Sequence, residues 1–187
     1  MTDTPNVSAA TDAALAALTE GGFDYALIGG LAVILRGHDR YTSDVDALVW
    51  DLDDRLDELA SLLPKHGFRP PSTEELRLSK STRLLHTLWQ EEVFVDFMLG
   101  LVPFERETLD NATPMDLGRG GVAKVATPED LVIMKLTASR ERDIQDVIAL
   151  KELYPDLDRR RIRTIVSDYA EALERLEITE NLDRWFP

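Results

Sequence analysis

Residues 24–50 read DYALIGGLAVILRGHDRYTSDVDALVW, and this stretch carries the strongest structural signals in the chain. The apolar run Tyr25 to Ile28 predicts a buried strand, Gly29 and Gly30 predict a turn, and Leu31 to Leu35 predict the first turns of a helix. Glycine lets the backbone approach an anion closely, and the N–H groups at a helix start carry partial positive charge. A strand, a glycine turn and a helix start therefore predict a phosphate cradle.

Asp44 and Asp46 stand one residue apart on the next predicted strand. Side chains alternate between the two faces of a strand, so both carboxylates point to the same side, about 6.5–7 Å apart at Cα. Two like charges on one face require a cation or water beside them. Taken singly, a double glycine is a common turn, and an Asp-x-Asp pair is a solvated strand end or a helix cap. The combination is what indicates a site.

Asp96 lies within the apolar segment Glu92 to Met98, EVFVDFM. It shares a strand face with Phe94 and Met98, and the opposite face is also apolar, so we expect the strand to be buried on both sides. Burying a lone carboxylate costs on the order of several kcal/mol unless it is paired or ligates a metal. Asp96 is therefore a candidate third site carboxylate, and a salt bridge to arginine or lysine is the structural alternative.

The composition limits the classes of protein to consider. The chain has 187 residues, a net charge of −14 and no cysteine. Without cysteine there is no disulfide and no thiolate ligand, so a metal would be held by oxygen or histidine, which favours magnesium or manganese. The negative charge argues against a broad positively charged surface that binds nucleic acid. No apolar stretch is long enough to span a bilayer and the N-terminus lacks signal-peptide features, so we expect a cytoplasmic protein without a membrane partner.

The order of predicted elements, helices and strands in alternation followed by helices, favours an α/β (α+β) fold with a C-terminal helical part. Residues 1–126 are predicted to form the core with an N-terminal helix, and residues 127–187 a helical region packed on it as one compact unit. The predicted segments are helices over 8–20 and 51–67, a loop over 70–73, strands over 84–89 and 92–99 joined by Gln90-Glu91, and a second hairpin over 115–117 and 122–125.

The segment after residue 126 carries a second candidate cluster. Thr127 is predicted to cap a helix, because a proline and two acids follow it. Lys135 stands in an apolar run, where its ammonium requires a partner or a route to solvent. An unbroken helix would align Lys135, Ser139, Arg142 and Asp146 on one face, which could meet a triphosphate. The alternative is that the charged residues of this segment pair with one another on a solvated helix.

The chain contains, in order, an apolar residue, Gly-Gly, thirteen residues, Asp-apolar-Asp-apolar and a later carboxylate. This order resembles the signature of the DNA polymerase β-like nucleotidyltransferase superfamily. That superfamily commonly has Gly-Ser here, so Gly30 removes a hydroxyl for which backbone N–H groups could compensate. The segment PEDLVIMKLTASRERDIQDVIAL resembles the distal motif of the AbiEii-like branch, which includes toxin–antitoxin and phage-defence proteins. The resemblance covers about residues 24 to 151 and implies the nucleotidyltransferase fold, a small mixed sheet flanked by helices.

The resemblance implies catalytic and nucleotide-binding roles for particular residues. Asp44, Asp46 and Asp96 would be catalytic and hold Mg²⁺ or Mn²⁺, and Lys135 would contact the nucleotide phosphates. Asp143 or Asp146 would support the catalytic centre. From their position before Asp44, polar side chains could bind phosphate or base, although Arg40 could equally neutralise the acids, and no histidine is assigned to catalysis. The expected nucleotide-binding residues are Gly29, Gly30, Arg40, Thr42, Ser43, Lys135, Arg142 and Asp146.

The activity implied is transfer of a nucleoside monophosphate from a nucleoside triphosphate to an acceptor hydroxyl, with release of pyrophosphate. The enzyme could be of the toxin–antitoxin or of the resistance type, and its acceptor could be a small molecule, a protein or a transfer RNA. A cognate antitoxin or a second copy is a possible partner. The competing hypothesis is a non-catalytic, antitoxin-like module that binds nucleotides or a partner on the same fold. Retention of three mutually repulsive carboxylates beside a glycine turn favours catalysis.

Overall fold

A computed structural model gives the fold, and it describes residues 6–118 and 121–186. The chain divides into two compact units. The first unit contains the residues up to Leu31 together with Tyr41–Ala126, and the second contains Ala32–Arg40 together with the residues from Thr127 onward. The sequence predicts one division, after residue 126, and gives no signal that residues 32–40 belong with the C-terminal helices.

The described residues form helices and strands in alternation before the chain becomes helical, as predicted. The strands are β1 (Tyr25–Ile28), β2 (Asp44–Trp50), β3 (Leu84–Trp89), β4 (Val93–Gly100), β5 (Thr113–Asp116) and β6 (Val122–Val125). The helices are α1 (Val7–Glu20), α2 (Gly29–Leu35), α3 (Leu52–Leu62), α4 (Thr73–Thr82), α5 (Pro103–Asn111), α6 (Pro128–Ala138), α7 (Glu141–Leu153), α8 (Arg159–Ala172) and α9 (Leu176–Trp185). A short 3₁₀ turn, Leu63–His66, follows α3.

The first unit is built on a six-stranded mixed sheet in the order β3-β4-β2-β1-β6-β5. Strand β2 pairs in parallel with β4 and antiparallel with β1, and β1 pairs in parallel with β6. Two antiparallel hairpins, β3-β4 and β5-β6, form the edges. The mixed sheet flanked by helices confirms the predicted fold class. Of the residues expected to connect the second hairpin, 119 and 120 lie outside the described ranges.

One face of β4 is buried and the other is partly open. Val93, Val95 and Phe97 are fully buried, and helices α1 and α3 contact this strand. On the opposite face Phe94 is 48% exposed and Asp96 is half-buried. The prediction that this strand is buried on both sides is therefore wrong. Its apolar composition reflects one core face and one accessible face that still carries apolar side chains.

The turn between β3 and β4 is one residue longer than the sequence suggests. A Gln90-Glu91 connection would pair Trp89 with Glu92, whereas the structure pairs Trp89 with Val93. Gln90 and Glu91 both adopt left-handed backbone conformations, with φ of 47° and 58°. A shift of one residue moves every cross-strand partner to the other face of the sheet, so this turn decides which side chains meet.

Helices α4 and α5 were not predicted from the sequence. Helix α4 begins with a capping box, in which the Ser72 side chain accepts from the Glu75 N–H and the Glu75 carboxylate accepts from the Ser72 N–H. The predicted loop over 70–73 therefore ends one residue early. None of the helices in the described ranges is both long and apolar enough to cross a lipid bilayer.

The second unit packs α6 against α7, α8 and α9. Thr127 caps α6 as predicted, accepting from the Asp130 N–H. Asp130 is fully buried and its Oδ1 accepts from the Arg161 guanidinium at 2.7 Å. The helix expected to run unbroken from Lys135 to Asp146 is interrupted, because Ser139 has a φ of 54° and α7 begins anew at Glu141.

Candidate active site

Three carboxylates predicted to act together lie on two neighbouring parallel strands of the first unit. Asp46 of β2 stands directly opposite Asp96 of β4, and Asp44 stands opposite Phe94. Because β2 and β4 are parallel and in register, all three carboxylates occupy the same sheet face. Each is half-buried. Adjacent strands lie about 4.8 Å apart, so the register brings the three acids into one group.

Asp44 and Asp96 each accept a hydrogen bond from a protein donor. The buried Thr42 hydroxyl donates to Asp44 Oδ1 at 2.6 Å, and the His86 Nδ1–H donates to Asp96 Oδ1. Burial raises the pKa of Asp96, and the nearby Asp44 charge raises it further, although the His86 hydrogen bond acts in the opposite direction. A carboxyl group with a raised pKa is a better proton acceptor than an ordinary surface carboxylate.

Gly29 is the close neighbour of Asp46 at the end of β1. Its φ is +65°, and a Cβ at this position would lie 1.9 Å from Asp46 Oδ2. The position therefore requires glycine for two reasons, the backbone conformation and the approach of the carboxylate. Gly30 is buried in α2, and Ser43 is exposed directly before Asp44. A role of Gly29, Gly30 and Ser43 in nucleotide binding stays a prediction.

The carboxylate group suits a hard divalent cation by its chemistry, because magnesium and manganese prefer carboxylate oxygens. Its side chains face protein partners in this structure, since Asp44 accepts from Thr42 and Asp96 accepts from His86. Within residues 6–118 and 121–186 no three histidine, aspartate or glutamate side chains are already arranged around a common point. Asp44, Asp46 and Asp96 are the side chains that would hold such a cation.

The remaining predicted residues form an ionic cluster within the second unit. The Lys135 ammonium lies 2.8 Å from Asp143 Oδ1 and 2.8 Å from Asp146 Oδ2. Arg40 Nη1 donates to the same Asp146 oxygen at 2.6 Å. Both aspartates are buried, and the lysine side chain is 12% exposed. Burying a charge costs desolvation free energy, and contact with an opposite charge offsets part of that cost.

Not every residue expected in this cluster joins it. Asp143 and Asp146 both contact Lys135, and His38 lies at 3.8 Å from Asp146. Arg142 is exposed on α7, because the break at Ser139 removes the helical register that would have aligned it with Lys135. The pairing of lysine with aspartates resembles the alternative considered from the sequence, but the partners are buried instead of solvated.

His86 is the residue beside the carboxylates that the sequence interpretation left out. It stands opposite Asp96 across the β3-β4 hairpin. With a two-residue turn, His86 would face Val95 instead. Only the three-residue turn brings His86 opposite Asp96. Left-handed backbone conformations at Gln90 and Glu91 are difficult to predict from these residue types.

Comparison with known proteins places the fold and the family. The model of the family described as "Nucleotidyl transferase of unknown function (DUF2204)" matches residues 8–184. The chain belongs to this nucleotidyl transferase family. No match was found among functionally curated proteins. The AbiEii-like branch is not addressed by these matches.

Solved structures share the fold at low sequence identity. The antibiotic-resistance factor ANT(2'')-Ia in solution has a TM-score of 0.60 and 16% identity, with 94% of this chain and 96% of that chain covered. Its crystal structure in complex with adenylyl-2''-tobramycin gives 0.57 and 13%, covering 88% and 97%. An antigenic nucleotidyltransferase-like protein from Paracoccidioides brasiliensis gives 0.53 and 20%, covering 96% and 94%. At these identities the likeness establishes the nucleotidyltransferase fold of the chain.

Proposed function

We propose that the protein is a metal-dependent nucleotidyltransferase that moves a nucleoside monophosphate from a nucleoside triphosphate to an acceptor hydroxyl and releases pyrophosphate. The observation that carries this proposal is the register of β2 and β4, which sets Asp46 opposite Asp96 with Asp44 on the same face. Family membership supports the reaction type. The proposed catalytic residues are Asp44, Asp46, Asp96 and Lys135.

The residues of the first unit have distinct tasks in this mechanism. Asp44, Asp46 and Asp96 would hold Mg²⁺ or Mn²⁺, which when bound would neutralise phosphate charge and lower the pKa of the acceptor hydroxyl. Asp96 accepts the acceptor proton, and its raised pKa suits that task. The acceptor oxygen forms its bond to the α-phosphorus while the bond from that phosphorus to pyrophosphate breaks.

The cationic residues of the second unit are proposed to contact the nucleotide phosphates. Lys135 and Arg40 both contact Asp146 in this structure. A phosphate would therefore compete with Asp146 for these cations, and Asp143 and Asp146 would hold Lys135 in place until then. Gly29, Gly30, Thr42, Ser43 and Arg142 remain proposed nucleotide-binding residues.

The finer assignment is to the AbiEii-like branch, with a role in a toxin–antitoxin pair and a cognate antitoxin as partner. Its support is that Lys135, Asp143 and Asp146, which come from the resembling segment, meet in one cluster. The strongly acidic composition favours a protein or a cationic small molecule over RNA as acceptor. The aminoglycoside adduct seen with a structural neighbour is consistent with the small-molecule case.

The decisive experiment is label transfer in a cell extract. The protein is incubated with magnesium and each α-labelled nucleoside triphosphate, and the labelled macromolecule or metabolite is identified. We expect the double variant Asp44→Ala, Asp46→Ala to lose transfer by about 1,000-fold or more, because several kcal/mol of electrostatic stabilisation disappear.

A matched control removes the same amount of charge elsewhere. Asp54 and Asp57 are exposed on α3, and their double alanine variant should label as well as the wild type. If the Asp44, Asp46 variant labels equally well, the mechanism is wrong. If it still binds nucleotide while neither it nor the wild type transfers label, the non-catalytic binding module becomes the better description.

A further inference from the structure

His86 occupies a position next to the reacting groups that the proposed mechanism does not use. It lies on edge strand β3, directly opposite Asp96, and its Nδ1–H donates to Asp96 Oδ1. Asp46 stands on the other side of Asp96. Asp96 is thus flanked by a carboxylate on one neighbouring strand and by an imidazole on the other.

We propose that His86 is a positioning residue of the transfer reaction, which holds the Asp96 carboxylate in the orientation that accepts the acceptor proton. This inference rests on the proposed function. An ionised carboxylate has about four acceptor sites, so one oxygen can stay bound to His86 while others remain for the acceptor and a cation. Groups that orient metal-binding and reacting carboxylates in this way commonly affect activity strongly although they do not touch the substrate.

The imidazole is itself held in place by an aromatic ring. The His86 and Phe94 rings stack with centroids 4.6 Å apart and an interplanar angle of 22°. Phe94 lies two residues before Asp96 on the same face of β4. Phe94 therefore fixes the imidazole plane, and the imidazole fixes the carboxylate, so that three neighbouring side chains on two strands form one support.

Stability alone does not account for this arrangement. The His86 side chain is 57% exposed, and exposed pairs of this kind contribute little to folding. Phe94 is 48% exposed, so stacking on His86 removes only part of the Phe94 surface from water. A contact that adds little to the free energy of folding, yet stands beside a candidate proton acceptor, points to a role in the reaction.

His86 neither gives nor takes a proton in the chemical step. The acceptor hydroxyl gives its proton to Asp96 as its oxygen bonds to the α-phosphorus, and pyrophosphate leaves with the electron pair of the broken bond. His86 donates the same hydrogen bond before and after this step. An uncharged donor of similar reach at position 86 should therefore replace it.

The test compares variants of His86 in the labelled nucleotide transfer reaction. We expect His86→Ala to lower kcat by about 10–100-fold, as orienting groups do, while the KM for the nucleoside triphosphate and the melting temperature stay unchanged. His86→Asn should recover most of the rate, because its amide can donate to Asp96. Phe94→Ala should give a smaller loss, and Phe94→Tyr should be close to the wild type.

A second histidine–carboxylate pair offers a matched control. His66 Nε2 lies 2.9 Å from Glu20 Oε2, at the 3₁₀ turn and the end of α1, and neither residue belongs to the candidate site. His66→Ala removes the same kind of contact and should leave transfer unchanged. If His86→Ala transfers label as fast as the wild type, or if His86→Asn stays as slow as His86→Ala, the positioning role is contradicted.

An independent measurement separates this inference from the proposed function. The Nδ1 signal of His86 in ¹⁵N NMR spectra should shift in Asp96→Ala and remain unchanged in Glu20→Ala. Absence of that shift contradicts the contact itself. A protein that shows the shift but transfers no label with any nucleotide or extract contradicts the proposed function, and the role of His86 in transfer fails with it.

Discussion

At the scale of single residues, Gly29 shows how one position can serve both backbone geometry and site chemistry. The sequence presents it as half of a glycine turn for phosphate. In the structure its left-handed φ and the absence of a Cβ also let Asp46 lie against the backbone. The absence of a side chain at position 29 therefore makes room for a carboxylate of the protein as well as for an incoming phosphate.

We predict that Gly29→Ala lowers both stability and transfer activity. The left-handed conformation costs an ordinary residue about 1–2 kcal/mol, and the added methyl displaces Asp46. Gly22 is the matched control, because its φ is +62° but a Cβ there meets nothing within 4 Å. Chemical denaturation should show the backbone cost in both variants and a larger loss of stability in Gly29→Ala, where the methyl also meets Asp46. Label transfer should fall in Gly29→Ala alone. Equal activities in the two variants would contradict the contact with Asp46.

At the scale of elements, the strongest periodic or motif-bearing segments were predictable and the weakly patterned ones were not. The strand carrying Asp44 and the hairpin carrying Asp96 follow from alternation and apolar runs. Helix α4 did not, because its sequence TEELRLSKST is mostly polar and only its Ser72-x-x-Glu75 start indicates a helix. The contact of His86 with Asp96 depended on one extra turn residue, which neither composition nor periodicity specifies.

Helix α4 should respond to pH through its capping box. The Arg69 hydrogen bond, together with bonds from Ser72, lowers the pKa of Glu75 from 4.5 to about 2. Because the folded pKa is lowered, the stabilisation is complete above the unfolded value of 4.5 and disappears as the pH falls toward 2. Glu75→Gln should lose this pH dependence. The contribution is modest, since the Glu75 side chain is 34% exposed and water screens its charge.

The measurement is amide hydrogen exchange of α4 above and below this pH window. Ser72→Ala should weaken the helix by about 1 kcal/mol at neutral pH, since an N-cap is lost. Ser81, whose hydroxyl donates to Leu78 O later in the helix, is the control position for alanine. Protection of α4 that is unchanged in Ser72→Ala would show that the capping box does not stabilise the helix.

At the scale of the whole molecule, the net charge of −14 is less informative than the places where acids are buried. In the second unit, Asp146 receives cations from two other segments, Lys135 from α6 and Arg40 from residues 32–40. Tyr154 adds a hydrogen bond from its hydroxyl to Arg36 O at 2.9 Å. These contacts give a physical reason for residues 32–40 to belong with the C-terminal helices, a long-range pairing that sequence spacing does not reveal.

Removal of Asp146 should therefore loosen the second unit selectively. Asp146→Ala removes the shared partner of Lys135 and Arg40. Because Lys135 keeps Asp143 and the Arg40 side chain is 29% exposed, we expect a loss below the about 3–5 kcal/mol of a fully uncompensated buried charge. Asp143→Ala should cost less, because Lys135 retains Asp146. In hydrogen-exchange mass spectrometry, Asp146→Ala should speed exchange in peptides from residues 32–40, α6 and α7. Peptides from β2 and β4 should exchange as in the wild type, because they belong to the other compact unit. Equal acceleration in both sets would show that the two units open together.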